Sequence, residues 1–125
     1  MKKTAIIWTL VTLAVVVGLV WLIRTPGRPG QLDAFAQCIS DSGATFYGAF
    51  WCPHCQNQKA LFGSSAKLLP YIECSTPDGR GQLPVCQEAG VEGYPTWDFA
   101  DGTRIPGEVT LERLSELTSC ELPQQ

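Results

Sequence analysis

"FWCPHCQNQK", residues 50–59, holds Cys52 and Cys55 with Pro53 and His54 between them, directly after a run of β-formers. "ATFYGAF", 44–50, reads as a strand ending just before Cys52. "PHCQNQKALFG" reads as a helix with Pro53 in its first turn and Gly63 as its stop. Cys52 then stands at a helix N-terminus, where unpaired backbone N–H groups and the positive dipole end favour a thiolate. Cysteines so placed in Cys-X-X-Cys motifs titrate below the free value of about 8.5, in cases near 3.5. His54 is expected to add a hydrogen bond or a positive charge near that sulfur. Cys55, one turn further and less exposed, is the resolving partner. A stabilised thiolate stabilises the reduced pair and makes the disulfide the better oxidant, on a scale from about −270 mV for reductants to about −120 mV for strong oxidants.

Other uses of the pair fit less well. A zinc site needs four ligands, commonly two CxxC pairs or one with two histidines. Here there is one CxxC, and the one histidine lies inside it, so no metal is expected. Haem attachment of the c type requires a histidine where Gln56 stands. A structural 52–55 clip would close too small a ring to stabilise much. The working dithiol is the favoured reading.

Working outward, "QLDAFAQCISDSG" (31–43) spaces Leu32, Phe35, Ala36 and Ile39 as a helix does. "YIEC" (71–74) is a second strand and "PVCQEAG" (84–90) a short helix. "PTWDFADGTRI" (95–105) is a hairpin turning at Asp101-Gly102, and "TLERLSELTSC" (110–120) a last helix. The order α-β-α-β-α-β-β-α implies one α/β domain with a mixed central sheet flanked by helices. Pro95 falls at the start of the third strand, where proline is acceptable on steric grounds alone.

Residues 5–23, "AIIWTLVTLAVVVGLVWLI", form an uncharged apolar run bounded by Trp8 and Trp21. As a helix it would be roughly 28 Å long, near the ~30 Å of a hydrocarbon core. A cleaved signal peptide is the competing reading, but the run exceeds an h-region of about 7–15 residues and no A-x-A-like site follows. The expected organisation is a cytoplasmic terminus at 1–4, a transmembrane anchor at 5–23, a Pro/Gly linker at 24–31, the domain at 32–120 and a tail at 121–125.

Six cysteines, all beyond the apolar run, indicate an oxidising compartment, a periplasm or a thylakoid lumen. The protein is thus expected to be single-pass, with its domain on the outer side. All twelve acids lie after residue 31, against Lys59, Lys67, Arg80, Arg104 and Arg113. That acidic balance argues against nucleic acid as a partner. Cys74 and Cys86 face each other across a short loop and are expected to bridge. Cys38 and Cys120 pair by elimination, and a second redox pair relaying electrons from the CxxC stays open. Trp51 is expected to be exposed beside the dithiol as part of a substrate surface, with Trp97 and Phe99 in the core or the wall of a groove.

"FWCPHC" and "GYPT" together resemble the active-site motif and cis-proline loop of the thioredoxin fold, over about residues 32–119. The resemblance implies a cis Tyr94–Pro95 bond, with Pro95 against the cysteines and a substrate-binding surface around Tyr94, Pro95 and Thr96. More closely, "FYGAFWCPHCQNQKALFG", "LPYIEC" and "GVEGYPTWDF" resemble the thioredoxin-like domains that partner vitamin K epoxide reductase homologues, often fused to that membrane enzyme. This implies thiol–disulfide oxidoreductase activity with no bound cofactor. Substrate protein thiols would reduce the Cys52–Cys55 disulfide, and the membrane enzyme would reoxidise it and pass electrons to a quinone. At this length the chain is expected to meet that enzyme as a separate protein. A reductase or isomerase is the alternative enzyme, and a chaperone or assembly module with a structural CxxC the non-catalytic one. One departure is clear. Thioredoxins bury an aspartate six residues before the first cysteine; here that residue is Phe46, leaving Asp98 or Glu73 as substitutes.

Overall fold

In the computed structural model, which describes residues 1–24 and 30–124, the sheet is built around β1 (Thr45–Gly48). β2 (Tyr71–Glu73) runs parallel to it on one side, with Phe46 opposite Tyr71. β3 (Thr96–Asp98) runs antiparallel on the other, with Phe46 opposite Trp97, and β4 (Arg104–Pro106) closes the order β2-β1-β3-β4. A parallel pair cannot be joined by a tight turn. The crossover is α3 (Pro53–Ala60) followed by a 3₁₀ segment, Gly63–Leu68. The expected mixed sheet flanked by helices therefore forms.

Several element ends fall a residue or two inside the ranges read from the sequence, and two differences change the local path. The helix expected to run to Gly63 ends at Ala60, and the chain re-enters helical turns from Gly63, whose φ of +53° suits glycine. This turn lets Phe62 bury itself and stack on Phe35, with ring centroids 5.9 Å apart. The hairpin strands are also shorter than expected, because Phe99–Thr103 forms the connection, with Gly102 at φ +86°.

Side chains alternate across the sheet, and each face has its own core. Phe46 stacks on Trp97 at 4.6 Å and packs with Phe35, Ile39 and Leu114 from α2 (Asp33–Asp41) and α5 (Leu111–Thr118). Tyr47 points the other way, into a smaller cluster with Cys74, Cys86 and Val91 beside α4 (Pro84–Glu88).

Two disulfides staple these layers. Cys38–Cys120 joins α2 to the residue two beyond α5, across 82 residues, and Cys74–Cys86 joins the end of β2 to α4 across 12. In the chain-entropy picture they contribute about 4–5 and about 3 kcal/mol.

α1 (Lys2–Arg24) precedes the domain. Its 23 residues would span about 35 Å, and none is buried, so it is long and apolar enough to cross a membrane. The linker expected at 24–31 falls mainly on residues 25–29, outside the described residues, as does Gln125 of the tail.

Candidate active site

β1 ends at Gly48, and Ala49, Phe50 and Trp51 carry the chain into α3. Cys52 is the N-cap of that helix, in extended conformation, with its carbonyl accepting from the Gln56 N–H at 3.1 Å. Pro53 is at the first helical position, where a missing N–H costs nothing and its fixed φ suits the helix. Both cysteines are free thiols, Cys52 5% and Cys55 1% exposed. Cys52 is the more exposed of the two.

Opposite this helix end lies the loop before β3, in which the Tyr94–Pro95 bond is cis. The Cys52 S–H donates to the Tyr94 carbonyl at 3.6 Å, tying two segments 42 residues apart. Pro95 is fully buried. Trp51 is 48% exposed, and its ring meets Tyr94 edge to face at 6.1 Å. Its indole N–H donates to the Ser75 hydroxyl at 2.8 Å, which holds the ring against the loop after β2. Thr96 lies inward: it is buried, and its hydroxyl donates to the Gly93 carbonyl at 2.8 Å, so only its backbone is left to contact a ligand. Trp97 and Phe99 are core residues.

His54 is paired with a carboxylate. Its Nδ1 lies 2.7 Å from Glu108 Oε1, an atom that also accepts from the Asn57 amide at 3.3 Å. The hydrogen bond from His54, then that from Asn57, holds the Glu108 carboxyl below its usual range.

Behind Cys55 the site is closed by β2. Burial, reinforced by the neighbouring Cys52 sulfur, pushes the Cys55 thiol up to about 12; a hydrogen bond from the Ala49 backbone and the charge of Lys59 pull the other way. A Cβ on Gly48 would come within 2.7 Å of Tyr71 Cε2 and 3.1 Å of Cys55 Sγ, so only glycine allows this approach. Burial and its hydrogen bond to Glu73 raise the Tyr71 hydroxyl's pKa. Of the two substitutes weighed for the missing aspartate, Asp98 is held by Arg104 at 2.6 and 2.7 Å. Glu73 instead accepts from the Tyr71 hydroxyl at 2.8 Å and stands behind that ring.

Sequence reasoning missed Gln58, Lys59, Tyr71 and Glu108. Gln58 is fully buried and clamps α3 to the segment before α5: its amide donates to the Val109 carbonyl at 2.9 Å, and its oxygen accepts from the Val109 N–H at 2.7 Å. Lys59 alone had a readable signal, being four residues after Cys55 and so on the same helix face. Among the described residues no group of three or more His, Cys, Asp or Glu side chains could hold a metal ion.

A dithiol at a helix N-terminus, facing a cis-proline loop across the end of a mixed sheet, can exchange disulfides with a thiol that reaches Cys52. This is the thioredoxin-like class. No protein-family model matches the chain. Over 96 residues it is 44% identical to the thiol-disulfide oxidoreductase LTO1 of Arabidopsis thaliana, covering 73% of this chain and 25% of the length of that protein. The chain belongs to the thioredoxin-like domains of this thiol–disulfide oxidoreductase family.

Proposed function

We propose that the protein is a membrane-anchored thiol–disulfide oxidase. A substrate thiolate attacks Cys52 Sγ and breaks the Cys52–Cys55 bond, and Cys55 leaves with the electron pair and takes up a proton. A second substrate thiolate then attacks the substrate sulfur of the mixed disulfide and releases Cys52. The substrate leaves oxidised by two electrons. A vitamin K epoxide reductase-like membrane enzyme re-forms the Cys52–Cys55 disulfide and delivers the electrons to a quinone. α1 is the anchor, its N-terminus cytoplasmic and the domain in an oxidising compartment, where the two staples persist. Confinement to the bilayer raises the effective concentration of the membrane partner.

The observation that carries this reading is the position of Cys52, N-capping α3 at 3.6 Å from the Tyr94 carbonyl. There the first sulfur meets an incoming chain while Cys55 stays covered. The Trp51 and Tyr94 rings and the backbone at Pro95 would form the substrate wall, and the acidic domain fits a soluble protein substrate better than a nucleic acid.

Direction is tested by the reduction potential of the Cys52–Cys55 pair, measured on the full chain in detergent by equilibration in glutathione buffers. A value of about −200 mV or above supports the oxidase; one near about −270 mV puts the reductase ahead. Cys52→Ser abolishes exchange in either case, whereas a structural clip would keep function and lose stability. Cys55→Ser accumulates mixed disulfides with substrates.

A further inference from the structure

Cys55 carries negative charge twice in a catalytic cycle, as leaving group when the disulfide opens and as nucleophile when it re-forms. Its surroundings oppose this charge. The sulfur is buried, and the thioredoxin aspartate position holds Phe46. The titratable groups facing it are Cys52 and Lys59 from α3 and Tyr71 from β2, with Glu73 behind the Tyr71 hydroxyl; β1 contributes only Gly48 and the Ala49 backbone.

Lys59 lies one turn beyond Cys55 on the same face of α3, half-buried, with its Nζ 3.3 Å from the centroid of the Tyr71 ring. The edge of that ring and Cys55 Sγ converge on one point, 2.7 and 3.1 Å from where a Gly48 Cβ would stand. The ring is fixed from its far end. Its hydroxyl donates to Glu73 Oε2 at 2.8 Å, and Glu73 Oε1 accepts from the N–H groups of Ser75 at 2.9 Å and Phe50 at 3.2 Å. Among the described residues Lys59 makes no ion pair, so its charge is not cancelled by a carboxylate in contact. An ammonium held against an aromatic face in a partly desolvated site acts through a lower dielectric than one in water.

We propose that Lys59, seated on the Tyr71 ring that Glu73 holds in place, is a positioning residue whose charge stabilises the Cys55 thiolate during disulfide exchange. The inference rests on the thiol–disulfide exchange proposed above. In the re-forming step Cys55 loses its proton to solvent and its thiolate attacks Cys52 Sγ. The Cys52–Cys55 bond forms, the bond from Cys52 to the departing sulfur breaks, and that sulfur leaves as a thiolate with the electron pair. Lys59 offsets the charge on Cys55 until the new bond removes it.

The test uses the full chain in detergent, reduced at Cys52 and Cys55 only, mixed with Ellman's reagent in a stopped-flow instrument. Cys52 releases the first thionitrobenzoate, and attack of Cys55 on the resulting mixed disulfide releases the second. Lys59→Met keeps the alkyl stem on the ring and removes the charge. If the Cys55 pKa rises by one unit, the thiolate fraction falls about tenfold while greater nucleophilicity returns about threefold, so the second phase slows about threefold. The expected result is this slowing across about pH 7 to 9, an unchanged first phase, and a second phase restored by Lys59→Arg. A second phase in Lys59→Met as fast as wild type, or one equally slow in Lys59→Arg, overturns the role of Lys59. Release of a single thionitrobenzoate by the wild type would overturn the exchange reading itself, which is a different outcome.

Discussion

His54 Nδ1 and Glu108 Oε1 lie 2.7 Å apart, joining the residue between the two cysteines to the loop that leads into α5. The pair is solvent-facing, with the two side chains 69% and 38% exposed. A hydrogen bond to the carboxylate restrains the imidazole from turning toward the Cys52 sulfur.

Glu108→Gln should therefore make the dithiol more oxidising. Both consequences, a freed imidazole and a lost negative charge, stabilise the thiolate and hence the reduced pair. The reduction potential is expected to rise by on the order of 10 mV, with His54→Ala in the same background removing part of the gain. An unchanged or lower potential would show that Glu108 does not restrain His54 in solution.

Gly48→Ala tests the packing behind Cys55. The new methyl would meet the Tyr71 ring and the sulfur at 2.7 and 3.1 Å, and the ring is held at its hydroxyl by Glu73. Overpacking of this kind costs about 1–3 kcal/mol. Urea unfolding followed by tryptophan fluorescence should show a lower midpoint, and a variant as stable as wild type would mean that β1 and β2 separate more easily than the register of Phe46 on Tyr71 implies.

Gln58→Leu removes a clamp without removing volume. Val109 loses both of its backbone partners and the Trp97 indole N–H loses the Gln58 oxygen at 3.4 Å. Each buried polar group left unpaired costs about 1–3 kcal/mol, so a loss of about 3 kcal/mol is expected in the same unfolding assay. Gln58→Glu should lose less at low pH than at neutral pH, because only the protonated acid can still donate to the Val109 carbonyl.

The reduced protein should become alkali-labile in a way the oxidised protein does not. The folded Cys55 thiol, pushed up to about 12, keeps a proton that the unfolded chain gives up near about 8.5. The stability from this group is complete below about pH 8.5 and is lost as pH rises from there towards about 12, by on the order of 1 kcal/mol per pH unit. In the Cys52–Cys55 disulfide the group does not titrate. Parallel pH dependence of the two redox forms above pH ~9 would place Cys55 in a more solvated site than the structure does.

Much of this molecule was legible because its signals are local. Pro53 directly after Cys52 defines a helix start through one fixed φ, so the cysteine's place at the N-cap needed no tertiary information. The strands of Phe46 and Trp97 were readable from β-former content, and the helix carrying Leu32, Phe35, Ala36 and Ile39 from its spacing. The helix stop at Gly63 failed as a reading, because burying Phe62 against Phe35 ends the helix earlier than glycine does. The partner of His54 was out of reach for a similar reason. From residues 52–55 alone its nearest polar neighbours are the sulfurs, and nothing local reveals a carboxylate 54 positions away.

By itself, the sequence determined an apolar helix long enough to span a membrane, an α/β order of elements, a dithiol at a strand–helix junction and enough cysteines for two further bridges. Each follows from composition or from backbone preferences acting over a few residues. Only the tertiary structure decided what surrounds the dithiol: Tyr94 opposite Cys52, Lys59 on the ring of Tyr71, Gln58 on Val109 and Glu108 holding His54. Those neighbours come from separate elements, and they meet because both faces of the sheet must be covered and every buried polar group must find a partner.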